Sequence, residues 1–242
     1  MGGGQAREAG PDTMIPLEIE KIALNVMASN SCHTVIVYGS QARGDATPES
    51  DIDLLCIRAE GPPVRDARTE DGIFIDAFVY PESALASVDP TFLRLLGGVV
   101  LREEGGIGTA LLARVKELEI KGPTALAADE RQALVVWSTK TLERIRKGGV
   151  EAQYRRAGLL VQSLEDYFSL RGIWFRGSKV AFGWLRDHDP KTYAAFEAAF
   201  RPEAGDEALA KLVSAVYGPS LAQNANRASE TETLFGSAKG GT

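Results

Sequence analysis

At 242 residues the chain has room for one large or two small domains, and its 44% apolar and 25% charged residues are ordinary for a globular protein. A net charge of -6 and a pI of about 5.2 argue against general nucleic-acid binding, which needs a basic surface, but leave room for a local basic pocket. Two cysteines, Cys32 and Cys56, make no disulfide framework, with only His33 and His188 a zinc site is not expected, and no run approaches the about 18 apolar residues of a membrane span, so a cytoplasmic protein without membrane contact is expected.

In chain order, Met1–Asp12 is small and polar and is expected to be disordered, as a native extension or a cloning remnant. From Pro16 to Ser29, Leu17, Ile19, Ile22, Ala23, Val26 and Met27 recur at helical spacing, which predicts a helix packed behind a sheet. Val35–Tyr38 reads as a short buried strand. Gly39 permits a sharp turn and a close backbone approach, and Ser40 is a favourable N-cap for a short helix through Gln41-Ala42-Arg43. The free N–H groups of such a turn suit a phosphate. Gly44–Ser50, with Pro48, is a loop, and Asp51–Ile57 is the next strand, with Asp51 and Asp53 on one face and Ile52 and Leu54 on the other. Paired carboxylates beside a phosphate-binding turn suit Mg²⁺, which takes one or two carboxylates plus substrate phosphates. Two such ions can clamp an in-line phosphoryl displacement.

Arg58–Asp71, with Pro62-Pro63 and seven charges, reads as a loop, closed by a hairpin turn at Asp71-Gly72. Gly72–Tyr80 is then a strand with Phe74, Asp76 and Phe78 on one face, ended by Pro81-Glu82-Ser83. Ser83 or Asp89 can cap short helices, Val99–Leu101 is a further short strand, and Ile107–Leu118 is an amphipathic helix. Lys121-Gly122-Pro123 breaks the pattern and is taken as a domain boundary. Helices are expected over Asp129–Arg146, Glu151–Leu170, Ser178 (as cap) to about Asp187, Pro190–Phe200 and Gly205–Tyr217, with a small, polar, frayed tail from Leu221.

The Gly39-Ser40, ten-residue gap, Asp51-Ile52-Asp53-Leu54 pattern, followed by the acid Asp76 on a later strand, resembles the nucleotidyltransferase superfamily that includes DNA polymerase beta and the antibiotic nucleotidyltransferases. The short form Gly-Ser-x-Ala-Arg-Gly, with Ser50 before the two acids, is similar to minimal nucleotidyltransferases. The resemblance covers Val35–Tyr80 and implies an α+β fold, in which an N-terminal mixed β-sheet with flanking helices (residues 14–122) precedes an all-helical bundle (residues 123–218), between tails at 1–13 and 219–242. The helical half is similar to the substrate-binding domain of kanamycin and lincosamide nucleotidyltransferases and to the helical toxin partner of minimal ones. That toxin's Arg-x₄₋₆-His ribonuclease motif is absent, because no Arg stands at that spacing before His188.

The resemblance implies Mg²⁺, two ions, as cofactor and a nucleoside triphosphate, ATP foremost, as co-substrate. Asp51, Asp53 and Asp76 are the expected metal ligands, and Asp76 the expected base, with Glu165 as a fallback. Gly39, Ser40, Arg43 and Ser50 are the expected triphosphate contacts. From Lys140 to Lys179 nine basic residues face four acidic ones, a local balance of +5, and the better reading of most is a solvated helix face. Lys140 and Lys179 are singled out as phosphate contacts. Lys140 matches a phosphate-contacting Lys in kanamycin nucleotidyltransferase, although Val136 stands where that family carries a Glu one turn earlier. Trp174, Phe175 and Trp184 could stack on a ring, but aromatics at such spacing are more often core. The expected reaction is nucleotide transfer to a hydroxyl, most naturally of a small molecule such as an antibiotic. The alternatives are a protein-adenylylating or antitoxin-like enzyme and a non-catalytic nucleotide-binding regulator. The resemblance also allows a homodimer.

Overall fold

The computed structural model describes residues 15–218, so the expected N-terminal and C-terminal tails lie outside the described residues. The chain divides into two compact units at Lys121/Gly122. The first is a mixed sheet with helices and the second is helical, an α+β arrangement as expected.

In the first unit, α1 (Leu17–Ser29) leads into β1 (Thr34–Tyr38), a short α2 (Gly39–Arg43), β2 (Ile52–Arg58), β3 (Val64–Glu70), β4 (Ile73–Pro81), two 3-10 turns (Glu82–Leu85 and Pro90–Leu95), β5 (Val99–Arg102) and α3 (Ile107–Lys121). The sheet order is β3-β4-β2-β1-β5, with β2 and β4 parallel and the other pairs antiparallel. Side chains alternate across it. One face, with Val35, Val37, Leu54, Cys56, Ile75, Ala77 and Val79, buries against Ile19, Ala23 and Val26 of α1. The opposite face carries Ile36, Leu55 and Ile57, all fully buried on the side of α3 and the 3-10 turns. Both faces of the central strands are therefore covered, which is why β1 and β2 read as continuous apolar runs.

Three local expectations are corrected. The stretch called a loop over Arg58–Asp71 contains β3, an edge strand paired residue by residue with β4 from Val64↔Val79 to Glu70↔Ile73. Its turn is the expected Asp71-Gly72, where both residues take positive φ (50° and 82°), the two-residue geometry that twists with a hairpin. Ser40 does not cap α2: the helix begins at Gly39, with Tyr38 in the cap position. Ser178 likewise opens α6 behind Gly177 rather than capping it, and Ser83 lies inside its 3-10 turn, whereas Asp89 does cap the second one, accepting from the Thr91 N–H at 2.8 Å.

The second unit comprises α4 (Ala128–Ile145), α5 (Val150–Arg171), α6 (Ser178–His188), α7 (Pro190–Phe200) and α8 (residues 206–218). Their apolar faces meet in one core that includes Val135, Leu159, Leu164, Phe168, Leu185, Phe196, Leu212 and Val216. Trp184 and Phe175 pack against that core rather than standing out as a stacking platform. Pro190 at the first turn of α7 and Asp189 as its cap start that helix, and the Tyr167 hydroxyl donates to the same Asp189 carboxylate at 2.8 Å. No helix among the described residues is long and apolar enough to cross a membrane.

One buried polar network sits inside this core. The Tyr217 hydroxyl donates to Asp166 Oδ2 at 2.6 Å and Gln162 Nε2 donates to Oδ1 at 2.9 Å. Burial raises the Asp166 carboxyl above its usual 3.8, and those two hydrogen bonds pull it back only in part. Tyr217→Phe should destabilise the unit by about 1–3 kcal/mol, since a buried carboxylate loses a donor. The hydrogen bond matters most to the charged form, so the loss is full above the variant's still higher folded-state value and shrinks as pH falls from there through the raised wild-type value. Paired melting curves of the wild type and variant across that range check both the size and the sign.

Candidate active site

The sheet register assembles the site. Tyr38 pairs with Asp53 across β1 and β2, and Asp53 pairs with Asp76 across β2 and β4. Residues paired side by side share a face, so a row Tyr38–Asp53–Asp76 crosses three strands on the face opposite α1. Phe78 and Tyr80 follow Asp76 on the same face of β4.

Gly39 closes one side of this row. Its φ is +69°, and a Cβ built there would stand 2.1 Å from Asp53 Oδ2 and 3.0 Å from Asp53 Cγ. Only a residue without a side chain lets the backbone come this near the carboxylate. Burial raises the pKa of Asp53, and the neighbouring charges of Asp76 and Asp51 raise it further, against opposing pulls from Arg43 and Arg94. A half-buried carboxylate crowded by two others is a group short of positive charge, and hard oxygen donors of this kind suit a divalent cation.

The other expected residues are spread around the row. Asp51 is exposed, just before β2 begins. Ser50 uses its hydroxyl to accept from the Thr47 N–H at 2.8 Å, so it closes the loop ahead of Asp51. Arg43 ends α2 and pairs with Asp45 at 3.3 Å. Ser40 lies in the first turn of α2, where N–H groups lack partners within the helix. Lys140 on α4 and Lys179 in the first turn of α6 are exposed residues of the second unit, as is Glu165 on α5.

Asp76 is engaged. Arg65, from β3, donates from Nε to Oδ1 at 2.7 Å and from Nη2 to Oδ2 at 2.8 Å, a forked pair that uses both carboxylate oxygens. Among the described residues no three His, Cys, Asp or Glu side chains stand ready around a common metal position. Arg65 also faces the ring of Phe78, its register partner, at 5.2 Å from the centroid. A second guanidinium, Arg94 of the Pro90–Leu95 turn, lies over the same ring at 4.0 Å and donates to the Tyr80 hydroxyl at 3.2 Å. Arg94 Nε is buried with no hydrogen-bond partner among the described residues. Sequence reading missed both arginines. Arg65 was detectable, because a hairpin at Asp71-Gly72 requires a strand before it as well as after it. Nothing in the sequence marks Arg94.

Comparison with known proteins gives one family match. Residues 21–85 match the family model of the nucleotidyltransferase domain. No curated protein matches the chain. Among solved structures it is similar to a nucleotidyltransferase-like protein from Exiguobacterium sibiricum 255-15, at 14% identity over 85% of this chain and 75% of that one, with a TM-score of 0.41. The segment matched by the family model spans the Gly39 turn, the strand pair that carries Asp53 and Asp76, and the β3 hairpin. Residues 21–85 are thus the part of the chain that is similar to the nucleotidyltransferase domain family.

Proposed function

We propose that the chain moves a nucleoside monophosphate from a nucleoside triphosphate, ATP foremost, to a hydroxyl of a small-molecule acceptor such as an antibiotic, in a Mg²⁺-dependent reaction that releases pyrophosphate. The observation that carries this reading is the in-register pair Asp53 and Asp76 beside the bare Cα of Gly39. The acidic overall balance disfavours a polynucleotide acceptor.

The residues fit the cofactor. Asp53 is raised by burial and by two like charges, and its Oδ2 occupies a cradle that a Cβ would fill. Asp51 and Asp53 would hold one Mg²⁺ and Asp76 a second. Bound there, the ions supply positive charge to the triphosphate and lower the pKa of the acceptor hydroxyl. The chain's own groups do the rest. The N–H groups of Gly39 and Ser40 and the Ser40 hydroxyl orient the triphosphate, and the Arg43 guanidinium is the nearest cation on α2. An Asp76 oxygen accepts the proton of the attacking hydroxyl.

Two substitutions test the assignment. Asp53→Asn should cut transfer by more than the about 100-fold that loss of an outer-shell partner costs. It should not lower the melting temperature, because it removes a carboxylate that burial disfavours. Transfer is read by mass spectrometry with each of four nucleoside triphosphates and a panel of aminoglycosides and lincosamides, weighing the protein as well. Normal turnover by the variant would sink the proposal. Gly39→Ala should lose both activity and about 1–3 kcal/mol of stability, from the strained φ and the contact with Asp53.

A further inference from the structure

We propose that Arg65 is a resident counter-cation of the third carboxylate, which a second divalent ion must displace, so that this arginine sets how tightly the site takes metal. The inference rests on the nucleotidyl-transfer reading and adds to it a positioning residue, one that acts through Asp76.

The fork leaves Asp76 no free oxygen edge, since Nε and Nη2 of Arg65 take one oxygen each at 2.7 and 2.8 Å. The contact is made from outside inward. The Arg65 side chain is 56% exposed on an edge strand, while the Asp76 side chain is 15% exposed. Arg65 can therefore swing away without opening either core face of the sheet. It also has a place to go, because its guanidinium already lies against the Phe78 ring. Arg94 cannot take the same part. It is half-buried over that ring, tied to Tyr80, and makes no hydrogen bond to a carboxylate among the described residues.

Exchange at Asp76 is a shallow contest. The pair is open to water on its Arg65 side, which weakens it, so a divalent ion that gathers further oxygen ligands can win the carboxylate, but the arginine still taxes its affinity. Lysine in its place would offer a point charge rather than a fork and would tax it less.

The test is titration of the full-length protein with Mn²⁺ alone, without nucleotide. Bound and free ion are followed by electron paramagnetic resonance and by calorimetry. Two binding events are expected in the wild type, the weaker one lost in Asp76→Asn. Arg65→Gln should tighten that weaker event by about fivefold, and Arg65→Lys by less, with the stronger event unchanged. In the double variant with Asp76→Asn, the effect of Arg65→Gln should vanish. A purely structural Arg65–Asp76 pair would lower the melting temperature and leave Mn²⁺ affinity unchanged or weaker; that result overturns the proposal while the transfer reading stands. If Asp53→Asn abolishes no Mn²⁺ binding at all, the transfer reading falls and the proposal with it.

Discussion

The register between β1, β2 and β4 is the constraint on which the site depends. A slip of one residue in either pairing would turn Asp53 or Asp76 to the α1 face, among Val35, Leu54 and Ala77. The apolar residues on both faces forbid that slip, so burial of the sheet fixes where two carboxylates stand. Gly39 adds the second condition. The chain must leave β1 at the level of Asp53, and only a bare Cα allows it to turn there.

Concentrating acids in this way is unfavourable by itself. Asp51, Asp53 and Asp76 repel one another, and Asp53 is also part-buried. The fold answers with three arginines from three different elements: Arg43 at the end of α2, Arg65 on β3 and Arg94 on a 3-10 turn. Two of them also lie against the Phe78 ring, which adds a cation–π contact to the ion pair that Arg65 makes with Asp76. The helical unit solves its own polar problem separately, by giving Asp166 two donors within its core.

Much of this was legible from residues. β1, β2 and β4 were readable because apolar runs with single acids at even spacing leave few alternatives, and the helices because their apolar faces recur with helical period. β3 was not, because it buries nothing on one side and its sequence, Val-Arg-Asp-Ala-Arg-Thr-Glu, carries charge where a strand signal expects apolar residues. It exists because the Asp71-Gly72 hairpin holds it against β4. The Ser40 cap was misplaced by two residues, as helix ends commonly are. Ser50, expected as a triphosphate contact, uses its hydroxyl to close the loop ahead of Asp51. The two arginines belong to tertiary contacts, which no local pattern encodes.

The charges that hid β3 have a consequence for how this protein behaves in company. β3 lies at the rim of the sheet, where its outer N–H and C=O groups have no strand partner among the described residues. A rim strand of apolar residues would invite another chain to pair with it. Here Arg65, Asp66, Arg68 and Glu70 spend their charges on one another and on Asp76, and a second strand laid alongside would have to bury or break those pairs. The segment least visible as a strand is therefore the one whose paired charges disfavour edge-to-edge extension at its own side of the sheet.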